Sequence, residues 1–200
     1  MKRAFCIFIC LLLLMQACLR NKEDPNRIYF KDFDWSIVLP GGFTRVSPED
    51  WRPEAFGNAL EKKESEHPRV LLVFKKDEYN FFEVNCQSFD EKLDGDYLGS
   101  WQAEINRVYQ SLNNETAIVK IDTLSSTEEI GGFQFQKFYF KAYYPEMDLS
   151  GYLYKCLLGK RIFSAIIMFR DESSGEQLLS AWKRSSFGKK ITLAMLLYRD

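Results

Sequence analysis

Apolar and polar residues alternate with period two along much of this chain, the pattern of strands that bury one face. Phe33, Trp35, Ile37 and Leu39 alternate with Asp32, Asp34 and Ser36, and Pro40-Gly41-Gly42 ends the run. Residues 70–75 and 80–87 read as two strands joined around Asp77 and Glu78. Four more strands are predicted over 116–127, 133–144, 152–158 and 161–169. Gly131-Gly132 supplies the first turn between them, and Gly159-Lys160 suits a tight turn with positive φ at its first position. The strand over 133–144 changes phase: Phe133 and Phe135 share one parity, Phe138, Phe140 and Ala142 the other. A bulge near Gln136 is the expected device for reconciling them.

Helical spacing is clearest at Leu98, Trp101, Ile105, Val108 and Leu112, which step by three and four. Asp94 or Asp96 is placed to cap this helix, and Asn113-Asn114 to end it. Trp101, in the middle of the stripe, is expected to be buried where the helix meets the sheet. Ser47 with Pro48 opens a single turn that Pro53 stops, and a short helix over 53–64 presents Phe56 and Leu60 on one side. A last helix is expected over 176–186, with Leu178, Leu179, Ala181 and Trp182 as its apolar side. Residues 191–200 form an apolar tail with no place in this scheme.

The N-terminus follows a different logic. Lys2 and Arg3 precede an apolar run over 4–14, and Met15-Gln16-Ala17-Cys18 follows. A basic start, an apolar stretch and then a small residue describe a secretory signal, here residues 1–17. The run falls short of the roughly 20 apolar residues that a membrane span needs. Cys18 directly after Ala17 resembles the lipobox of bacterial lipoproteins, in which the chain is cut before the cysteine and the thiol carries lipid. An ordinary cleavage site would want a small residue where Met15 stands. Residues 18–27 then read as a tether and 28–200 as one domain that includes the tail. The expectation is lipidation at Cys18 and attachment to the bacterial envelope, at the outer membrane.

Composition narrows the function classes. Loss of Lys2 and Arg3 takes 27 basic residues to 25 against 28 acidic ones, a net charge of −3. That mixed-sign balance offers no footprint for nucleic acid. High aromatic content favours a strand-rich protein. Cys86 and Cys156 sit inside apolar strand patterns, where a free thiol packs as a small hydrophobe, although an exported protein can also bridge them. One histidine and two such cysteines do not make a four-ligand metal site, and no nucleotide-binding fingerprint follows any strand, so no cofactor is expected.

Candidate chemistry is sparse. His67, the single histidine, stands in the charged stretch Glu64-Ser65-Glu66-His67-Pro68 and reads as an exposed loop residue. Asp32 and Asp34 lie two apart on one strand face, and Asp94 and Asp96 flank Gly95. Two carboxylates near each other suit glycoside hydrolysis, but strand solvation and helix capping account for these. Tyr139, Tyr143, Tyr152 and Tyr154 fall in neighbouring strands. Aromatic strand residues mostly join the core, while a tyrosine's polar tip also suits an interface. No catalytic, cofactor or metal residue is assigned.

Three short motifs carry a family resemblance. The opening Trp35-Ser36-Ile37-Val38-Leu39-Pro40-Gly41-Gly42-Phe43, the turn Ile130-Gly131-Gly132-Phe133 and the closing Ser180-Ala181-Trp182-Lys183-Arg184-Ser185-Ser186-Phe187 resemble motifs of the Mog/PsbP-like superfamily. Lys22-Glu23-Asp24 resembles the export signal of Bacteroidetes-type surface lipoproteins, but three residues read first as a solvated linker. The superfamily resemblance spans 28–187 and implies an α+β fold, an antiparallel sheet flanked by helices on both faces in an α/β/α sandwich. It implies a non-catalytic binding or assembly module with a protein partner, held to the membrane through its N-terminal lipid. The alternative reading is an envelope hydrolase using His67 or a carboxylate pair.

Overall fold

The computed structural model describes residues 24–51 and 68–188. The leader with Cys18, His67, the helix expected over 53–64 and the tail 191–200 lie outside them.

The described residues form a seven-stranded sheet and a three-stranded one. In chain order the strands are β1 (Arg27–Phe30), β2 (Trp35–Val38), β3 (Thr44–Val46), β4 (Arg69–Lys75), β5 (Phe81–Ser88), β6 (Lys120–Ile130), β7 (Phe133–Tyr143), β8 (Asp148–Leu158), β9 (Arg161–Phe169) and β10 (Ser186–Phe187). The large sheet runs β3-β4-β5-β9-β8-β7-β6 and the small one β1-β2-β10, every pairing antiparallel. The helices are α1 (Glu91–Asp94), α2 (Tyr97–Asn114) and α3 (Glu172–Lys183).

The large sheet is covered on both faces, which settles the phase change in β7. Phe133 and Phe135 point into a core with Trp35, Phe82, Phe163 and the α3 residues Leu178 and Trp182. Phe138 and Phe140 point into a second core with Trp101, Ile105 and Val108 of α2. No bulge is needed near Gln136: β7 keeps an unbroken register with β6 from Phe133 to Tyr143. The parity of its phenylalanines switches because each end of the strand is buried on a different side. Gly151 lets this happen at close quarters, since a Cβ there would lie 2.5 Å from the Phe140 ring and 2.6 Å from the Met168 sulfur.

Local chemistry sets the element ends. Asp96 caps α2 by accepting from the Gly99 amide at 2.7 Å, and Trp101 is buried as its stripe requires. Leu98 departs from that stripe and is 55% exposed. The closing helix starts earlier than its apolar residues imply, because Asp171 caps it by accepting from Ser174 at 2.8 Å. It ends at Lys183, so Ser186 and Phe187 are not helical. They form β10 and pair with Ser36 and Trp35 of β2. The strand expected from 116 begins at Lys120. The turn at 131–132 has positive φ at both glycines, and Gly159 has it at the first position of its own turn.

Cys86 and Cys156 are free. They stand opposite the same residue, Phe163, on the two strands flanking β9. Two strand spacings, roughly 9.5 Å, separate them, beyond the ~7 Å limit between Cα atoms for a disulfide. Burial pushes the Cys156 thiol up to about 12, so it packs as an inert hydrophobe.

Candidate functional site

Among the described residues, α3 and the small sheet cover only part of the α3 face of the large sheet. Trp182 lies against Tyr154 at 5.5 Å and against Phe135 at 5.1 Å between ring centroids. Along β6, β7 and β8 away from α3, the same face carries side chains that remain half-exposed or exposed. Register places them in rows: Lys137 between Ser126 and Tyr154, Tyr139 between Leu124 and Tyr152, and Lys141 between Asp122 and Ser150. Leu124 is 62% exposed in the middle.

The rings on this face touch one another. Tyr139 and Tyr152 are 4.8 Å apart, and Tyr152 stacks on Phe169 at 6.1 Å with 17° between the planes. Lysines lie over the rings: Lys137 at 5.2 Å from the Tyr152 centroid, Lys141 at 4.9 Å and Lys120 at 5.0 Å from that of Tyr143. Carboxylates hold these cations in place. Asp148 takes Lys141 at 2.9 Å, and Asp122 takes Lys120 at 2.9 Å and the Tyr143 hydroxyl at 2.9 Å. The surface is aromatic, with polar tips and paired charges.

Glu128 anchors the edge of this face beside α3. It accepts from Lys137 at 2.8 Å, Lys183 at 2.7 Å and the Tyr154 hydroxyl at 3.0 Å. Burial works against its charge, but the three hydrogen bonds outweigh it and hold the carboxyl down at about 2. The linkage sign follows. The contribution of Glu128 to stability is complete above the ordinary value of 4.5 and is lost as the pH falls from there through about 2. Glu128→Gln is therefore expected to flatten that acid limb of stability against pH. Urea midpoints of both proteins between pH 2 and 6 check it, and parallel acid limbs would refute it.

A second polar group lies buried between the sheet and α2. Trp51 donates its indole N–H to Glu83, and the Asn85 amide donates to the other Glu83 oxygen at 2.6 Å. Burial raises the Glu83 pKa against those two hydrogen bonds. Among the described residues Asn85 Oδ1 has no hydrogen-bond partner. On β8, Lys155 is 3% exposed; its ammonium meets Glu104 of α2 at 2.6 Å, and its carbonyl accepts from the Tyr97 hydroxyl at 2.9 Å. These contacts tie α2 to the sheet by polar chemistry inside an otherwise apolar layer.

The residues singled out from sequence fare unevenly. Asp32 and Asp34 do not share a strand face. Asp32 lies in a 3-10 turn over Lys31–Phe33 and ion-pairs with Arg69 at 3.6 Å. Asp34 follows with φ of 44°, accepting from the Tyr29 hydroxyl at 2.7 Å. Asp94 accepts from the Asp90 amide at 2.7 Å while Asp96 caps α2, so both act on backbone. Of the four tyrosines expected mainly in the core, only Tyr154 is buried; Tyr139, Tyr143 and Tyr152 are half-buried on the open face. Cys18 and His67 lie outside the described residues. Glu128, Lys137, Glu83 and Lys155 were not singled out at all. Charged residues inside aromatic strand runs were the available signal for the lysines. Among the described residues no three of His, Cys, Asp and Glu come together as a metal site, and no helix is long and apolar enough to cross a membrane.

Comparison with known proteins finds no matching family model and no matching curated protein. Solved structures similar to this chain include the cyanobacterial PsbP (CyanoP) of Synechocystis sp. PCC 6803, at 8% identity and TM-score 0.47, covering 81% of this chain and 91% of that one. The Ran-binding protein Mog1p of Saccharomyces cerevisiae is similar at 12% identity and TM-score 0.39, covering 86% and 89%. A protein of Bacteroides thetaiotaomicron VPI-5482 is similar at 10% identity and TM-score 0.43, where the match takes 82% of this chain and 49% of the other. The motifs at 35–43, 130–133 and 180–187 implied an α+β fold through their resemblance. The chain itself has the α+β architecture those motifs implied, an antiparallel sheet with helices on both faces.

Proposed function

We propose that this chain is a lipid-anchored, non-catalytic binding or assembly module of the bacterial envelope, held at the outer membrane through Cys18. Its docking face is the open surface of β6–β8, and its partner is a protein. The observation that carries this reading is the cluster of Tyr139, Tyr143 and Tyr152 with Lys137, Lys141 and Leu124 on one face of the sheet. Aromatic rings with polar tips give contact area at low entropic cost and are enriched where proteins meet. The carboxylate pairs favoured by a hydrolase reading serve a turn, an ion pair and a helix cap instead.

The test has two arms. In cells, Cys18→Ser is expected to move the protein from the membrane to the soluble fraction, because single weak contacts do not replace acyl chains that bind with ~0.8 kcal/mol per buried CH₂. Cross-linking followed by mass spectrometry is expected to capture a protein partner with the wild type. The variant Tyr139→Ala with Tyr152→Ala should lose that partner while keeping its thermal midpoint within a few degrees. Equal membrane association of Cys18→Ser, or equal capture by the tyrosine variant, would overturn the respective part. Hydrolysis of ester, peptide or glycan substrates that His67→Ala abolishes would replace the reading with the enzymatic one.

A further inference from the structure

β6 is the outermost strand of the large sheet, and among the described residues it pairs with β7 alone. It is 11 residues long, and its ladder with β7 is unbroken. Proteins blunt sheet edges with short strands, prolines, bulges or charged side chains; β6 is long, without proline or bulge, and its charges Lys120, Asp122, Glu128 and Glu129 stand towards its ends, away from Leu124. Its exposed apolar residue, Leu124, sits near the centre of this edge, and Val119 just before it is 74% exposed.

We propose that β6 pairs antiparallel with β6 of a second copy of this chain, about a two-fold axis at Leu124, joining the two large sheets edge to edge. The pairing follows from face and charge. A two-fold axis perpendicular to the sheet keeps each face on its own side, so opposed residues must share a face. Lys120, Asp122, Leu124, Ser126 and Glu128 share the open face, and Ile121, Thr123, Ser125 and Thr127 the other.

Centring on Leu124 sets Leu124 against its copy, Asp122 against Ser126, and Lys120 against Glu128 at both ends. On the other face it sets Ile121 against Thr127 and Thr123 against Ser125, pairs that suit strands. Across 120–128 every directly opposed pair is then opposite in charge or free of charge conflict. Neighbouring registers fail. Centring on Asp122 opposes two aspartates, on Ser125 it opposes Asp122 with Glu128, and on Ser126 it sets Leu124 against Glu128. Centring on Thr123 sets Asp122 against Leu124 and leaves Lys120 without a carboxylate opposite. The Leu124 register covers the apolar side chain that the single copy leaves exposed. It also brings the two tyrosine–lysine faces onto one side of a continuous sheet, a consequence that does not depend on what those faces bind.

Cysteine pairing tests the register. Opposed residues of an antiparallel pair have Cα atoms ~4.5–5.5 Å apart, within disulfide reach. Full-length Leu124→Cys is expected to give a covalent dimer under mild oxidation, whereas the wild type with its native cysteines and Ser126→Cys alone do not. Asp122→Cys mixed with Ser126→Cys should cross-link as a heterodimer. Sedimentation of Leu124→Lys should show the dimer weakened at least ten-fold, with thermal unfolding of the monomer unchanged because Leu124 is exposed there. A monomeric Leu124→Cys after oxidation, equal cross-linking of Ser126→Cys alone, or an adduct with a different protein would overturn the proposal.

Discussion

Trp182→Ala is expected to cost about 3–5 kcal/mol, a loss comparable with the entire stability of many domains. Trp182 is fully buried at the centre of the α3 core. Its ring meets Phe135 at 5.1 Å, Tyr154 at 5.5 Å, Phe82 at 6.0 Å, and Trp35 and Phe163 at 6.4 Å each. Those partners come from β7, β8, β5, β2 and β9, so truncation opens a cavity that no single element can close by moving. Among the described residues the indole N–H has no acceptor. Trp182→Phe therefore forfeits volume without orphaning a hydrogen-bond partner, and should cost well under half as much. Urea unfolding of both variants checks the pair. Equal losses would mean that the nitrogen matters more than the packing.

The second large effect belongs to the polar tie under α2. Glu104→Ala is expected to destabilise by about 3–5 kcal/mol, because it strands the Lys155 ammonium in the core with its charge uncompensated. Lys155 is almost wholly buried, and among the described residues only Glu104 and, at 3.5 Å, the Ser100 hydroxyl approach its ammonium. Replacing both partners by apolar residues, Glu104→Leu with Lys155→Met, should restore most of the loss, since the desolvation cost disappears with the charges. A double-mutant cycle in urea measures this. If the double variant were as unstable as Glu104→Ala, the pair would be holding α2 through its geometry and not merely satisfying itself.

Period-two alternation made most of the large sheet legible. The predicted strands near 70–75, 80–87, 133–144 and 161–169 appear within a residue or two, because each has one strongly apolar face. β6 was the hardest to bound, being mostly exposed, with no buried face to mark where it starts. The phase change in β7 is visible as a pattern, but the bulge it suggests is absent from the unbroken β6–β7 ladder. Periodicity reports which side of a strand is apolar; it does not report that the sheet has a core on each side. Trp35 and Phe187 illustrate another limit. They meet at 6.2 Å through the pairing of β2 with β10, a contact between distant stretches of chain that no local spacing encodes.

The open face was partly legible. The four tyrosines were visible as a group, yet their division into one buried ring and three half-buried ones depends on where α3 stops. That boundary comes from the Asp171 cap and the turn after Lys183, which are tertiary in their effect. Glu128 escaped notice because its partners, Lys137, Tyr154 and Lys183, arrive from three different elements.

The strand order carries a kinetic consequence. β6 to β9 follow one another as hairpins, so each closes a short loop at little entropic cost. β5 must instead find β9 across most of the domain, with Phe81 set beside Met168. Contacts that distant in sequence form late and slow the search. The seam between β5 and β9 is thus the expected slow step of folding, with the four-strand meander assembling before it.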